Sequence, residues 1–163
     1  MSDQKPEPPV LQPATRFPWP PVLFVLAAGL AWVLTVILPL PWPGLDDDAA
    51  HYVGVAFGVL GLIFVISGFA TLFIHRTTYL PHRAATKLVT AGPFIRFRNP
   101  IYLGEALLLL YGAELTKSIW FVAAAVIFGI LITALQIIPE ERHLEESFGE
   151  EYLSYKARTR RWI

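Results

Sequence analysis

Long apolar runs separated by short polar segments define the pattern of this chain. Apolar residues dominate about 21–38, 52–74 and 119–138, and a shorter apolar run covers about 101–115. At a rise of ~1.5 Å per residue, an apolar helix of ~20 residues crosses the hydrocarbon core of a bilayer. The pattern therefore predicts an all-α fold, a polytopic membrane helix bundle with about four transmembrane helices.

Composition agrees with this prediction and excludes some kinds of site. The 163 residues are 55% hydrophobic and 16% charged, and the mean hydropathy is +0.51, which is too apolar for a soluble domain of this size. The chain has no cysteine, which excludes disulfides, thiolate metal sites and cysteine nucleophiles. We expect neither a bound metal nor a nucleic-acid partner.

The polar segments predict how the chain is organised. Residues 1–19 are rich in proline and lack an apolar period, which predicts a disordered tail. A signal peptide is a weaker interpretation, because the next apolar run is long and lacks a small-residue cleavage site. Residues 20–163 are expected to form one membrane domain. Its predicted parts are a motif loop at 75–100, a helical hairpin at 101–138 and a tail at 139–163.

The distribution of basic residues predicts the orientation in the membrane. Twelve of the thirteen lysines and arginines lie in the N-terminal tail, in the 75–99 loop or after Pro139, and only Lys117 lies elsewhere. Loops rich in Lys and Arg stay on the cytoplasmic side. We therefore expect both termini and the motif loop in the cytoplasm, with the loop and the tail on one membrane face.

The loop from Lys87 to Glu105 is the candidate site. It combines a Gly-Pro turn, the alternating Arg96 and Arg98, and an Asn-Pro step, while the tail contributes Glu140 and its neighbour. A sulfonium cofactor such as S-adenosylmethionine needs an apolar slot, a carboxylate and cationic or backbone donors, which these segments can supply. A simpler alternative is a basic loop that only binds lipid headgroups.

Two features inside the apolar runs also have alternative interpretations. Gly54 and Gly58 have the GxxxG spacing that lets helix backbones approach closely, and helix packing is favoured over a ligand role. Glu105 lies near the start of the short apolar run. It is either a substrate or proton site at membrane depth or an interfacial residue near the positive end of a helix.

Two sequence motifs carry a resemblance to a known family. TAGPFIRFRNPIYLGE resembles the first motif of the isoprenylcysteine carboxyl methyltransferases and their bacterial relatives, and PEERHLEESFGEEYLSYKARTRR resembles their second motif. The motifs occur in the family's order, separated by a predicted hairpin, and cover about half the chain. The resemblance implies an S-adenosylmethionine-dependent methyltransferase of a bacterial inner membrane, with a C-terminal cytoplasmic helix that covers the site.

The resemblance also implies which residues bind the cofactor. By position in the two motifs, they are Lys87, Leu88, Val89, Phe94, Asn99, Pro100, Ile101, Tyr102 and Glu140. Asn99 stands where the family often has histidine, and asparagine cannot shuttle a proton. Gln136 stands where the eukaryotic enzymes carry an arginine linked to the substrate, so a prenylcysteine carboxylate is a poor candidate acceptor.

The expected function is therefore methyl transfer to a small or lipidic apolar acceptor that arrives from the membrane lipids. A carboxylate acceptor needs no general base, whereas an amine or thiol would need one, and His82, His143 and Glu141 are the candidates. Phospholipid amine methylation is one alternative function. A non-catalytic membrane scaffold of the same fold is another.

Overall fold

The computed structural model of the protein describes residues 19–44, 46–75 and 88–163. Within these ranges the fold is all-α, as predicted, and the single isolated bridge joins Phe97 to Arg160. The helices are α1 (Trp19–Ile37), α2 (Asp48–Ile74), α3 (Pro100–Thr116), α4 (Ile119–Ile132), α5 (Ile138–Phe148) and α6 (Glu150–Arg158), with a 3-10 turn at Gly92–Ile95 and a π turn at Thr133–Ile137. The predicted N-terminal tail lies outside the described residues except for Trp19, which begins α1.

Three helical segments among the described residues are long and apolar enough to cross a membrane. They are α1, α2 and the continuous helical run Ile119–Phe148, which contains α4, the π turn and α5. The protein is therefore an integral membrane protein. The fourth predicted span corresponds to α3, which has 17 residues and so is ~25 Å long, slightly less than the ~30 Å hydrocarbon core.

Two helix boundaries differ from those predicted by the apolar runs. Helix α2 begins four residues before the predicted Tyr52, because the Asp47 side chain accepts a hydrogen bond from the Ala50 amide at 2.8 Å and caps the helix. Helix α3 also extends slightly beyond its apolar run, which ends at about 115. Helix α3 continues to Thr116, and Lys117 closes it in a left-handed conformation with φ of 46°.

The helix that begins in the last apolar run does not stop at Ile138. The chain remains helical through Pro139 because a π turn precedes it, in which the Ile138 amide donates to the Thr133 carbonyl five residues back. Proline lacks an amide hydrogen and its ring crowds the carbonyl four residues earlier, and a wider turn relieves both problems. The run after the membrane span therefore stays rigidly connected to α4.

Glycines of α2 allow α3 to pack very closely against it. A Cβ atom on Gly61 would lie 2.9 Å from the Gly104 carbonyl oxygen, and one on Gly68 would lie 2.5 Å from Ile101. A Cβ atom on Gly58 would lie 2.8 Å from the Tyr111 ring. The helix-packing role predicted for the α2 glycines is confirmed.

The end of the bundle opposite the motif loop, called here the far end, contains a closed ion cluster. The buried Glu114 carboxylate accepts hydrogen bonds from Lys117 Nζ at 2.6 Å and from His51 at 3.2 Å. Asp46 pairs with the same lysine at 3.1 Å. Beside this cluster, the hydroxyls of Thr35 and Ser118 are 2.7 Å apart and join α1 to the start of α4.

Candidate functional site

The loop and the tail that carry the two motifs meet at one end of the bundle, called here the motif end. The Arg98 amide donates to the Arg160 carbonyl at 2.7 Å, and the Arg160 amide donates to the Arg96 carbonyl at 3.0 Å. The Tyr155 hydroxyl donates to the Phe94 carbonyl at 2.7 Å, and burial raises the pKa of Tyr155 to about 12, so this donor keeps its proton at neutral pH. The tail is thus held directly on the loop.

The Arg98 guanidinium fixes the end of α6 to the loop. Its Nη1 donates to the Lys156 carbonyl at 3.1 Å and to the Thr159 carbonyl at 2.6 Å. The carbonyls at a helix C-terminus have no partner within the helix, and Arg98 supplies one here. Its Nε donates to Glu141 at 3.2 Å. Arg98 is therefore bound within the protein, and a scaffold would need it as much as an enzyme would.

Glu141 is the centre of an ion cluster that joins the loop, α5 and the tail. Arg161 donates to both of its carboxylate oxygens, at 3.0 and 2.7 Å, and Arg98 donates to one of them. The hydrogen bonds that Arg161 donates to Glu141 raise the pKa of Arg161 above its ordinary value. A carboxylate held by two guanidinium groups is poorly suited to take a proton, so these contacts disfavour Glu141 as a general base.

Glu140, the preceding residue, has a different environment. Its Oε2 accepts from the Tyr102 hydroxyl at 3.5 Å and from the Gln136 amide at 3.3 Å. Both donors are uncharged, and no ion pair to Glu140 is found in the described part of the chain. The cluster of Tyr102, Gln136 and Glu140 brings together α3, the π turn and α5. Gln136 lies one turn before Glu140 on a shared face, as its spacing predicts.

The other residues predicted to bind the cofactor are distributed around this cluster. Lys87 lies outside the described residues, and Leu88 and Val89 are half-buried just before the 3-10 turn. Phe94 contributes its carbonyl to the contact with Tyr155. These three described residues line the loop side of the motif end, and their role in cofactor binding remains a prediction.

The Asn-Pro-Ile segment that opens α3 is largely committed to structural contacts. The Asn99 amide donates to the Arg161 carbonyl at 3.0 Å, Pro100 is fully buried in the first turn of α3, and the Ile101 side chain packs on Gly68. These contacts leave Tyr102 as the residue of this segment whose side chain reaches the Glu140 carboxylate. Any cofactor contact by Ile101 is expected through its backbone.

An apolar groove of about 560 Å³ lies between the helices that carry the two motifs. Its walls come from α3, α4, the π turn and the last residues of the chain, and include Leu103, Ala106, Gly129, Ile130, Ile138 and Trp162. The Trp162 indole donates to the Thr133 hydroxyl at 3.3 Å, which fixes the tail against the π turn. The groove therefore offers apolar contacts on the same helices that carry Tyr102, Gln136 and Glu140.

Sequence reasoning missed Arg161 and misjudged Glu141, since their pairing has no local spacing pattern. Two candidate bases remain from the sequence analysis. His82 lies outside the described residues. The Nε2 atom of His143 is buried and has no hydrogen-bond partner in the described ranges. Within those ranges, no group of three or more histidine, aspartate or glutamate side chains gathers as a metal site would require.

Comparisons with known proteins agree with the resemblance of the two motifs. The family described as "Phospholipid methyltransferase" matches residues 49–151, which include α2, the motif loop, α3, α4 and α5. An uncharacterized protein of Haemophilus influenzae is 47% identical over 38 residues, a match that covers 23% of this chain and 60% of that protein's length. No solved structure matches the chain. The protein belongs to the phospholipid methyltransferase family, a family of membrane methyltransferases.

Proposed function

We propose that the protein uses S-adenosylmethionine to methylate a lipidic or small apolar acceptor that reaches the site from the bilayer. The observation that carries this proposal is the convergence of the two motifs, through Tyr102 from the first and Glu140 from the second. The family match supports methyl transfer in general. The apolar groove formed by α3, α4, the π turn and the end of the chain supports an acceptor that arrives from the lipid phase.

The side chains present at the motif end fit this cofactor. S-adenosylmethionine supplies an activated methyl group on a positively charged sulfur and carries an amino group and ribose hydroxyls. Glu140 has two uncharged donors and no paired cation among the described residues, so its carboxylate can accept from an amino group or a hydroxyl. Tyr102 and Gln136 hold that carboxylate in position. Leu88 and Val89, with Lys87 before them, would add apolar and backbone contacts on the loop side.

Methyl transfer by in-line displacement depends mainly on alignment and on exclusion of water, with no covalent intermediate on the protein. The fixed tail supplies both conditions. The Arg98 contacts, the Glu141 ion cluster and the Trp162 contact hold the tail over the loop and the π turn. The protein's contribution is therefore a rigid, partly apolar enclosure around Tyr102 and Glu140.

Cofactor binding by the purified protein in detergent tests this proposal. Glu140→Ala should weaken the affinity for S-adenosylmethionine by ~1–3 kcal/mol, because a charge-assisted hydrogen bond is lost. Glu146→Ala is a matched control, since Glu146 is an exposed carboxylate on the same helix. Isothermal titration calorimetry on the three proteins measures the difference. No binding by the parent protein would favour a non-catalytic scaffold, and equal affinities would remove Glu140 from the site.

Phospholipid amine methylation is the second candidate function, and two observations favour it. The first is that the matched family is that of phospholipid methyltransferases. The second is that Gln136, which is 1% exposed, donates a hydrogen bond from its side-chain amide to Glu140. A neutral amide cannot form the two-pronged contact that an arginine makes with a carboxylate acceptor. Gln136→Arg should therefore raise activity towards a farnesylcysteine analogue, unless the new guanidinium pairs with Glu140. Efficient methylation of that analogue by the unmodified protein would overturn the argument.

We also propose that both termini and the motif loop face the cytoplasm of a bacterial inner membrane. The distribution of basic residues supports this orientation. Asp46 and Lys117 lie together at the far end of the bundle, away from the motif loop. Reporter fusions at Asp47 and after Ile163 should report opposite sides of the membrane. The same side for both fusions would contradict the orientation.

A further inference from the structure

Glu105 differs from the other carboxylates that the helices of this protein bury. Its Oε2 atom is buried and has no hydrogen-bond partner in the described part of the chain. It lies three residues after Tyr102 on α3, close enough to interact with it electrostatically. An unsatisfied carboxylate oxygen in an apolar environment is costly, and an ionisable group at membrane depth is usually kept for function.

The helices around Glu105 offer no positive charge to pair with it. Helix α1, helix α4 and the part of α2 after Tyr52 contain no lysine, arginine or histidine. Tyr102, one turn before Glu105 on the same helix, interacts with it electrostatically, and Tyr102 also donates to Glu140 on α5. Neither Tyr102 nor Glu140 can carry a positive charge. Three cations of the motif end are already paired, Arg98 and Arg161 with Glu141 and Lys156 with Glu145.

Among the described residues, Glu140 and Glu105 are thus two partly buried carboxylates of the motif end without a paired cation. Amine methylation brings two positively charged groups to one place, the sulfonium of the cofactor and the ammonium of the acceptor. We propose that Glu140 faces the cofactor and that Glu105 binds the amino group of the methyl acceptor and takes its proton. This inference rests on the proposed function and adds to it the residue that contacts the acceptor. The acceptor class is then a lipophilic primary or secondary amine.

The proton and electron balance of this step is simple. An acceptor ammonium group gives one proton to the Glu105 carboxylate and becomes a neutral amine. The nitrogen lone pair then forms the new bond to the methyl carbon of S-adenosylmethionine as the carbon–sulfur bond breaks, and that bond's electron pair stays on sulfur. The proton on Glu105 passes to water when the product leaves. No oxidant or further co-reactant is needed.

Two variants and a matched control test the role of Glu105. Glu105→Gln keeps the shape of the side chain but cannot accept a proton, and Glu105→Asp keeps the carboxylate. Glu114→Gln is the control, because Glu114 is a buried carboxylate on the same helix at the far end of the bundle. Thermal unfolding in detergent establishes that each variant is folded before its activity is compared.

The assays use dioleoyl phosphatidylethanolamine in mixed micelles as the amine probe and farnesylcysteine as the carboxylate probe. Glu105→Gln should lower kcat/KM for the amine by about 100-fold, the size of a typical general-base effect. The affinity of this variant for S-adenosylmethionine should stay within about twofold of the parent, which corresponds to less than ~0.5 kcal/mol of binding free energy. Glu105→Asp should recover part of the activity, and the control should stay within about threefold of the parent.

Two further measurements distinguish a chemical role from a structural one. Native mass spectrometry without cofactor should show about tenfold weaker binding of phosphatidylethanolamine to Glu105→Gln, because a charge-assisted contact is lost. The residual activity of this variant should rise with pH, since only amine that is already neutral can react.

Amine methylation within threefold of the parent by Glu105→Gln would overturn the proposal, and so would methylation of the carboxylate probe alone by the parent. If Glu105→Gln does not fold, the amine activity of Glu105→Asp is compared with that of the Glu114→Gln control. Equal losses of activity in these two variants would show that Glu105 has a structural role only, and would overturn the proposal. Absence of cofactor binding by the parent would instead overturn the proposed function, and this inference with it.

Discussion

The two ends of the helical bundle both bury carboxylates, but these carboxylates differ in how their charge is paired. At the far end, Glu114 is held by Lys117 and His51. At the motif end, Glu141 is held by two arginines, whereas Glu140 receives only uncharged donors among the described residues. Glu105 completes the contrast, with one buried oxygen that has no hydrogen-bond partner among the described residues.

This contrast separates structural carboxylates from those available to a ligand. A buried charge is stable only when it is paired and hydrogen-bonded, so Glu114 and Glu141 act within the fold. A carboxylate that lacks a cation can accept a cationic ligand without first breaking a contact in the protein. Variants at the two kinds of position should therefore change different observables, stability in one case and ligand affinity in the other.

The largest effect on stability is expected for Glu141→Ala. This change leaves the nearly buried Arg98 without its charge partner and also frees Arg161, so the free energy of unfolding should fall by ~3 kcal/mol. Cofactor binding should be lost with it, because the tail would no longer be held on the loop. Unfolding by heat or denaturant in a defined detergent measures the change. Unchanged stability would show that the ion cluster does not hold the tail.

A smaller effect is expected for Gly54→Ala at the far end. The new methyl group would lie 2.2 Å from Glu114 Cγ, so the Glu114 side chain must move away from Lys117. Overpacking of this kind costs ~1–3 kcal/mol of stability, while cofactor affinity should not change. Gly29→Ala is the control, because nothing lies within 4 Å of a Cβ atom placed there. A loss of cofactor affinity in Gly54→Ala would show that the two ends are coupled.

Asn99→Ala sharpens the comparison within the motif end. The amide of Asn99 donates to the Arg161 carbonyl, and loss of one such hydrogen bond should lower stability by ~1 kcal/mol. Calorimetry and thermal unfolding on the same sample separate this effect from a direct cofactor contact. A large loss of cofactor affinity at unchanged stability would mean that the Asn99 side chain contacts the cofactor and does not stabilise the tail.

The smallest effect is expected for His51→Ala. The His51 side chain is 61% exposed, and Glu114 keeps its contact with Lys117 when the imidazole is removed. Because exposed ion pairs contribute little, the midpoint of thermal unfolding should move by less than about 2 °C. A clear decrease, especially one that depends on salt concentration, would show that the imidazole is needed to hold the Glu114 charge.

Local features of the sequence were sufficient for most of the fold. The apolar runs predicted the helices, and the spacing of four residues predicted that Gln136 and Glu140 share a face. The Asp47 cap that starts α2 early also has a local pattern and could have been found. The sequence therefore predicted the elements and the partners that lie within one helical turn.

Other features depend on tertiary contacts and could not be predicted from local patterns. The Arg98 and Glu141 pair joins residues 43 positions apart, and the Arg161 and Glu141 pair joins residues 20 apart. The helix also continues through Pro139, where the rule that proline ends a helix predicts a break. For the same reason, the lack of a hydrogen-bond partner for Glu105 Oε2 among the described residues could be recognised only once the surrounding helices were in place.

The π turn at Thr133–Ile137 makes the site sensitive to the length of the chain. Deleting one residue from this turn would restore ordinary α-helical geometry, and every residue after it would rotate by about 100° around the helix axis. Glu140 would then point away from Tyr102, and Glu141 away from Arg98, although the preceding segment would still be apolar and long enough to insert. One residue of chain length thus separates insertion into the membrane from assembly of the site.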